Sequence, residues 1–296
     1  MSQECNHDCS NCQVDCDSRQ DNGIVTAPLH KKASVRHVIG VVSGKGGVGK
    51  SMTASLLATL LRRNGSNVAI LDADMTGPSI PSAFGLHKKM VGTEDGAIAP
   101  ALTDNGIQVI STNLLLPDET DPVIWRGPVI AGMVTNYYSQ VVWNDVDYMI
   151  IDMPPGTGDV PLTVFQSIPI EGIIVVTSPQ ELVSMIVGKA VKMAGMLDIP
   201  LLGVIENMSY FKCPDCGSVH EIFGKSKLDQ ISTLYQVPAK ARIPFCPDLA
   251  QACDNGSIET WALENFKTID PAAAGKENDI SRVINMIKVI DDHFNG

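Results

Sequence analysis

A glycine-rich stretch between an apolar run and a helical pattern constrains this chain more than any other feature. Residues 44–51 read GKGGVGKS and fit the pattern G-x-x-x-x-G-K-[ST]. Glycines let a loop turn its backbone N–H groups toward an anion, and the N-terminus of the following helix faces the same way. The pattern predicts that this loop holds the phosphates of ATP, with Lys50 at the β- and γ-phosphates and the Ser51 hydroxyl on Mg²⁺. The predicted loop residues are Gly44, Lys45, Gly46, Gly47, Val48, Gly49, Lys50 and Ser51.

Apolar runs alternate with helical patterns after residue 36. Several runs, such as GIIVVT at 172–177, are apolar on consecutive residues, which is typical of strands buried on both faces of a parallel sheet. The alternation predicts a doubly wound α/β fold, with a mostly parallel sheet and helices on both faces. Residues 1–36 are polar and lack this pattern. We therefore expect a flexible tail at 1–36 and a P-loop ATPase domain at 37–296, with a CxxC insertion near 213–216.

Polar side chains follow three of these runs at the strand ends, where ligands bind in such sheets. Asp152 ends the run YMIID, and its carboxylate is placed to hold Mg²⁺ directly or through water. Asp72 and Asp74 end the run NVAILDAD, and at least one of them is expected to act beside the loop. In MPPGTGD, Gly156 can present its N–H to a γ-phosphate. The amide of Asn207, at the end of LLGVIEN, suits the edge of adenine. Helix capping for Asp152, and ordinary turn roles for the other polar residues, are the alternatives.

Cysteines supply a second kind of site. Cys213 and Cys216 form a CPDC sequence just after the run that ends at Asn207, and two thiolates at this spacing make half of a tetrahedral metal site. Two-fold pairing of chains would supply four thiolates for one 4Fe–4S cluster. A zinc site completed by His220 or by the tail is the alternative, and the spacing alone does not separate iron–sulfur from zinc.

The N-terminal tail has four more cysteines. On a straight helix they would share one face but spread over ~16 Å, so the tail must bend if all four bind one cluster. Cys246 and Cys253 have no partner at ligand spacing, and we interpret both as buried core thiols. The tail cysteines are Cys5, Cys9, Cys12 and Cys16.

The overall charge narrows the range of partners. A net charge of -11 repels nucleic-acid phosphates and anionic lipid, so we expect neither a nucleic-acid nor a membrane partner. The sequence has no signal-peptide pattern and no apolar run long enough to span a membrane. These features predict a cytoplasmic protein, in which the eight cysteines are ligands or core residues rather than disulfides.

Several motifs together resemble one known family. GKGGVGKS, DADMTGPSIP, IDMPPGTGD, ENMSYFKCPDCG and IPFCPDL occur in the order found in the Mrp/ApbC nucleotide-binding family of iron–sulfur cluster carriers, over about residues 35–270. The resemblance implies slow ATP hydrolysis, a homodimer, and a labile 4Fe–4S cluster bridged by Cys213 and Cys216 of each subunit. It also implies transfer of that cluster to apo iron–sulfur proteins, in contact with the cluster-assembly machinery.

The loop itself resembles the deviant P-loops of the MinD/ParA class, because Lys45 is a second lysine at its start. In that class this lysine crosses a dimer interface to the partner's nucleotide. The resemblance further implies that Asp74 orients the attacking water and that Asp72 lies near the metal. It makes Asn207 the residue that reads the base.

The sequence leaves open two alternative functions and a second cluster site. A MinD/ParA-type positioning ATPase would act on DNA or membrane, but the last helical pattern, ending KVIDDHFNG, is mixed to acidic rather than basic. A zinc-stabilised nucleotide-binding module is the other alternative. Eukaryote-type members of the resembling family carry an N-terminal four-cysteine cluster with a wider spacing, so a second cluster in this tail is a hypothesis.

Overall fold

Strands with apolar residues at consecutive positions form the centre of the molecule. The computed structural model describes residues 26–75, 77, 79–88, 97–116, 127–156, 158–179, 183–266 and 282–295. The strands in this part of the chain are β1 (Val35–Val42), β2 (Val68–Asp72), β3 (Ala101–Leu102), β4 (Gln108–Ile110), β5 (Val146–Asp152), β6 (Gly172–Thr177), β7 (Leu201–Glu206), β8 (Phe211–Lys212), β9 (Val219–His220) and β10 (Ala239–Arg242).

Eight of these strands make one sheet in the order β10-β7-β6-β1-β5-β2-β4-β3. Neighbours are parallel, except that β3 runs antiparallel to β4 at one edge. β8 and β9 form a separate antiparallel hairpin. β1 lies at the centre between β5 and β6, so the loop that follows it opens at the middle of the sheet edge where ligands bind in such folds.

Helices cover both faces of this sheet. Their bounds are α1 (Lys50–Arg63), α2 (Ile80–Ala83), α3 (Gly127–Gln140), α4 (Asp159–Ser167), α5 (Val183–Gly195), α6 (Leu228–Tyr235), α7 (Pro247–Asp254), α8 (Ile258–Asn265) and α9 (Arg282–Asn295). Alternate residues of one strand face opposite sides. Ile39 and Val41 of β1 therefore pack in the core under α1, α7, α8 and α9, while Val38 and Val42 pack in the core under α3, α4, α5 and α6. The predicted doubly wound fold is confirmed.

The C-terminal helix closes one end of the sheet. α9 packs on β7 and β10, and a side chain added at Gly203 of β7 would overlap with the sulfur of Met286. In the described part of the chain the helix covers Arg282–Asn295, which overlaps with the helix that the sequence pattern predicts at about 278–293. None of the helices in the described ranges is long and apolar enough to cross a membrane. The tail cysteines Cys5, Cys9, Cys12 and Cys16 lie outside the described residues.

Candidate nucleotide site and cysteine hairpin

The loop between β1 and α1 has the backbone that an anion cradle requires. Gly47 and Gly49 adopt left-handed conformations with φ of 76° and 79°. Gly49 is the N-cap of α1 and has no side chain to satisfy the first N–H groups of the helix, which leaves them for a ligand. Lys45, Lys50 and other loop residues line a pocket of about 400 Å³. The pocket also takes in Asp74, from beyond β2.

Gly49 is a position where a side chain would be strained. An added Cβ would overlap with the amide nitrogen of Asn207, and the left-handed φ is itself strained for a residue with a side chain. We expect Gly49→Ala to lower the free energy of unfolding of the nucleotide-free protein by about 1–3 kcal/mol. Thermal unfolding without nucleotide measures this. Gly46→Ala is the matched control, because nothing lies within 4 Å of its added Cβ. Equal destabilisation by both changes would contradict the prediction.

Lys50, Ser51, Asp74 and Asp152 meet at the floor of this pocket. The Lys50 ammonium donates to Asp152 Oδ1 at 2.6 Å and lies 3.5 Å from Asp74 Oδ2. The Ser51 hydroxyl donates to Asp152 Oδ2 at 2.5 Å. A hydroxyl and a carboxylate side by side offer the hard oxygen ligands that Mg²⁺ prefers. The arrangement thus combines a lysine for phosphate with an oxygen pair for a divalent cation.

Asp72 is a buried second carboxylate beside Asp152. The two residues are register partners on β2 and β5, and Asp72 accepts hydrogen bonds from Ser111 Oγ at 2.9 Å and from the Asp74 N–H at 3.2 Å. Burial and the charge of Asp152 raise the pKa of the Asp72 carboxyl well above its usual range. Burial also raises the pKa of Asp152, although Lys50 opposes that shift. Ser111 is not among the site residues predicted from the sequence, although it directly follows β4 and the strand-end rule could have found it.

Because the folded state raises the pKa of Asp72, it favours the protonated carboxyl. The contribution of this group to stability is therefore greatest at acid pH and is lost as pH rises through the folded pKa. We expect Asp72→Asn to stabilise the nucleotide-free, magnesium-free protein at pH 7 by about 1–4 kcal/mol, since it removes a buried charge and keeps the shape. The gain should shrink toward pH 4, as urea unfolding at several pH values would show. Asp74→Asn is the control, and a gain independent of pH would refute the argument.

Three residues, Gly156, Cys246 and Cys253, differ from the sequence-based interpretation. The N–H of Gly156 donates to Ser43 O at 2.8 Å, so it ties the loop after β5 to the end of β1 instead of facing the phosphate position. Cys253 is only partly buried, and with Met52 and Ala250 it lines the pocket. Burial, with a smaller contribution from the charge of Asp254, raises the pKa of the Cys253 thiol to about 11, which disfavours the reactive thiolate. Cys246 is also only partly buried, and both thiols pack against the core.

Asn207 lies directly against the phosphate loop. Its side-chain amide donates to Val48 O at 2.9 Å, and its backbone N–H donates to Thr177 O at 2.8 Å. The side chain is buried, so the end of β7 and the loop after β1 form one continuous wall.

Cys213 and Cys216 lie at the tip of the β8–β9 hairpin. The Cys213 N–H donates to Ser218 O, the Gly217 N–H donates to Cys213 O, and Gly217 is left-handed with φ of 71°. Cys216 is exposed, and hydrogen bonding with Ser218 Oγ, 3.2 Å away, lowers the pKa of its thiol. Within the described ranges no third His, Cys, Asp or Glu completes a group that could hold a metal ion, so His220 does not do so.

The part of the sequence that contains the phosphate loop and the β8–β9 hairpin with its two cysteines (the thiol hairpin) matches a known protein family. The family described as ParA, NUBPL iron-transfer P-loop NTPase, matches residues 34–274. The chain belongs to this family. An iron–sulfur cluster carrier protein of Clostridium perfringens (strain 13 / Type A) is 40% identical over 271 residues, covering 87% of this chain and 95% of that protein.

Solved structures agree with this membership of the ParA/NUBPL family. A nucleotide-binding protein of Archaeoglobus fulgidus, solved in complex with ADP, is 41% identical, has a TM-score of 0.70, and covers 77% of this chain and 89% of its own. The cell division ATPase MinD of Pyrococcus furiosus is 17% identical with a TM-score of 0.57, covering 87% of this chain and 99% of its own. The second likeness concerns the fold alone. The resemblance stated from the motifs is confirmed at the level of the family.

Proposed function

We propose that this P-loop NTPase binds and hydrolyses ATP, takes up a 4Fe–4S cluster between two copies of itself, and transfers the cluster to apo iron–sulfur proteins. The observation that carries the proposal is the direct connection of the two sites. β7 is followed directly by Asn207, which lies against the phosphate loop, and the chain then continues into the hairpin with Cys213 and Cys216. The name of the relative from C. perfringens supports the carrier role.

The nucleotide part of the proposal assigns a role to each residue at the pocket floor. Lys50 binds the β- and γ-phosphates, while Ser51 and Asp152 hold Mg²⁺. When bound, the cation neutralises charge on the phosphates. Asp74, whose carboxylate is 3.5 Å from the Lys50 ammonium, orients the attacking water. Lys45, at the rim, reaches the nucleotide of the partner subunit.

The cluster is cargo, and each chain offers half of its ligands. Two cysteines on an exposed turn leave the other ligand positions to a second molecule, and a homodimer with two-fold symmetry would bring two such turns together. Val219 and Ile222, which are 60% and 59% exposed, add apolar surface beside the hairpin. The lowered pKa of the Cys216 thiol favours the thiolate that binds iron.

Anaerobic reconstitution with iron and sulfide tests this proposal. For protein lacking residues 1–20, which leaves only the hairpin cysteines as proposed ligands, we expect four iron atoms per dimer and the Mössbauer spectrum of a 4Fe–4S cluster, followed by transfer of the cluster to an apo-protein. The spectra and the transfer rate are to be recorded with and without ATP. Zinc alone at one atom per dimer, in protein purified anaerobically, would instead favour a zinc-stabilised nucleotide-binding module. Tight binding to DNA or liposomes at physiological salt would favour a positioning ATPase.

The tail cysteines Cys5, Cys9, Cys12 and Cys16 are proposed as a second cluster site. If they bind a 4Fe–4S cluster of their own in each chain, deletion of residues 1–20 should lower the iron bound from about six atoms per chain to about two, because the cluster at Cys213 and Cys216 is shared by two chains. Iron analysis after reconstitution under identical conditions measures this. A deletion that leaves the iron content unchanged excludes a second site in the tail.

A further inference from the structure

A buried carboxylate lies between the two sites and takes no part in either. Glu206 ends β7 and has no exposed surface. One oxygen, Oε1, accepts a hydrogen bond from Ser209 Oγ at 2.5 Å, while Oε2 has no hydrogen-bond partner among the described residues. A buried carboxylate is unfavourable unless donors surround it. Glu206 therefore depends on the few donors that this corner supplies.

Arg242 is the cation of this corner. It is the register partner of Glu206 on the neighbouring strand β10, and its Nε lies 3.7 Å from Glu206 Oε1. The same Nε donates to Ser209 Oγ at 2.6 Å, and the guanidinium carbon lies 5.2 Å from the centre of the Tyr210 ring. One planar cation thus contacts the residues on both sides of the turn after β7.

Further hydrogen bonds extend this contact in both directions. The Ser209 N–H donates to Ile243 O at 2.9 Å, and the Phe245 N–H donates to Tyr210 O at 2.7 Å. β8 begins at the next residue and leads to Cys213. In the opposite direction, Asn207 adjoins Glu206 and donates to Val48 O of the phosphate loop. A continuous path of contacts therefore joins the phosphate loop to the thiol hairpin.

We propose that Glu206, Ser209 and Arg242 form a positioning cluster that transmits the nucleotide state of the phosphate loop to Cys213 and Cys216. This inference rests on the proposed function and adds residues to it. The buried Glu206 keeps its few donors only if the turn after β7 and the end of β10 move together. A displacement of Asn207 by nucleotide is thereby passed on to the hairpin.

The test measures how nucleotide changes the reactivity of the two thiols. Cluster-free protein is alkylated with iodoacetamide, with and without a non-hydrolysable ATP analogue and Mg²⁺, and modification of Cys213 and Cys216 is followed by mass spectrometry. In the unaltered protein we expect the alkylation rate with nucleotide to differ from the rate without it. In Arg242→Gln, at saturating nucleotide, their ratio should move toward one by about threefold or more. A purely structural role would change both rates and leave their ratio unaltered.

Two further variants make the test decisive. Lys240→Gln is the matched control, because it removes a cation from the same strand that pairs with Asp229 and not with Glu206. The Lys240→Gln protein should show the same ratio of alkylation rates, with and without nucleotide, as the unaltered protein. Ser209→Ala, a smaller change, should reduce the ratio even if Arg242→Gln fails to fold.

The inference is overturned if Ser209→Ala keeps the full ratio, or if nucleotide never alters alkylation in the unaltered protein. The alkylation experiment needs no cluster, so it separates this inference from the carrier role. A protein that shows the nucleotide effect but takes up no iron and sulfide would refute the proposed function and still support the coupling.

Discussion

Replacing Lys50 with alanine is expected to lower the affinity for ATP and Mg²⁺ by about 10- to 100-fold, and to abolish measurable hydrolysis. The Lys50 ammonium is the cation that contacts both Asp152 and Asp74 at the pocket floor. Without it, the γ-phosphate would face these carboxylates with no lysine between them, and repulsion would replace a charge-assisted hydrogen bond. Titration calorimetry and a phosphate-release assay measure the two effects.

The same change should also affect the protein without nucleotide. Removal of one partner from a buried ion pair leaves a carboxylate uncompensated, which lowers the free energy of unfolding by about 3–5 kcal/mol. Lys45→Ala is the control, because Lys45 lies in the same loop but is only partly buried, and we expect little loss of stability from it. Circular dichroism establishes that the Lys50→Ala protein is folded before its binding is measured. Unimpaired ATP affinity in that folded protein would refute the proposed nucleotide site.

Replacing Cys213 and Cys216 together with alanine is expected to abolish the ~400 nm absorbance of the anaerobically reconstituted protein, which iron–sulfur clusters give through thiolate ligation. ATP affinity should be unchanged, because neither cysteine lines the nucleotide pocket. The loss should be complete, since the described part of the chain supplies no other group of metal ligands. The absorbance is best measured on protein lacking residues 1–20, because this deletion removes the tail cysteines and any cluster that they bind.

Cys246→Ala is the matched control for this experiment. Cys246 is a partly buried thiol packed against the core, so its removal should leave the absorbance intact. A double variant at Cys213 and Cys216 that keeps its cluster would contradict the assigned ligands. Loss of absorbance in the control as well would point to a general effect of cysteine removal on folding.

The sheet, and the grouping of charged residues at the ends of its strands, could be predicted because both follow from local sequence patterns. Consecutive apolar residues identified the buried strands, and the ends of parallel strands meet at one edge, which is why Asp72, Asp74 and Asp152 come together around Lys50. The glycine pattern likewise specified the loop backbone, because Gly47 and Gly49 adopt conformations that disfavour other residues.

Contacts between distant segments could not be predicted in this way. The donation from Ser209 to Glu206, and the position of Arg242 beside them, depend on how β10 aligns with β7, and neither strand carries a local signal for it. The pocket wall formed by Cys253 of α7 is a similar case. α3 is a third case, since its sequence GPVIAGMVTNYYSQ contains glycine and β-branched residues that favour helix weakly.

The central place of β1 has a consequence for how the protein is made. Among the strands of this sheet β1 is synthesised first, and it is flanked by β5 and β6, both of which come more than a hundred residues later in the chain. The phosphate loop therefore leaves the ribosome long before the carboxylate of Asp152 that holds its lysine. β10 is the last strand of this sheet to be synthesised, and α9, which packs on it, is the last of the described helices. Nascent chains stopped before β5 should accordingly fail to retain nucleotide.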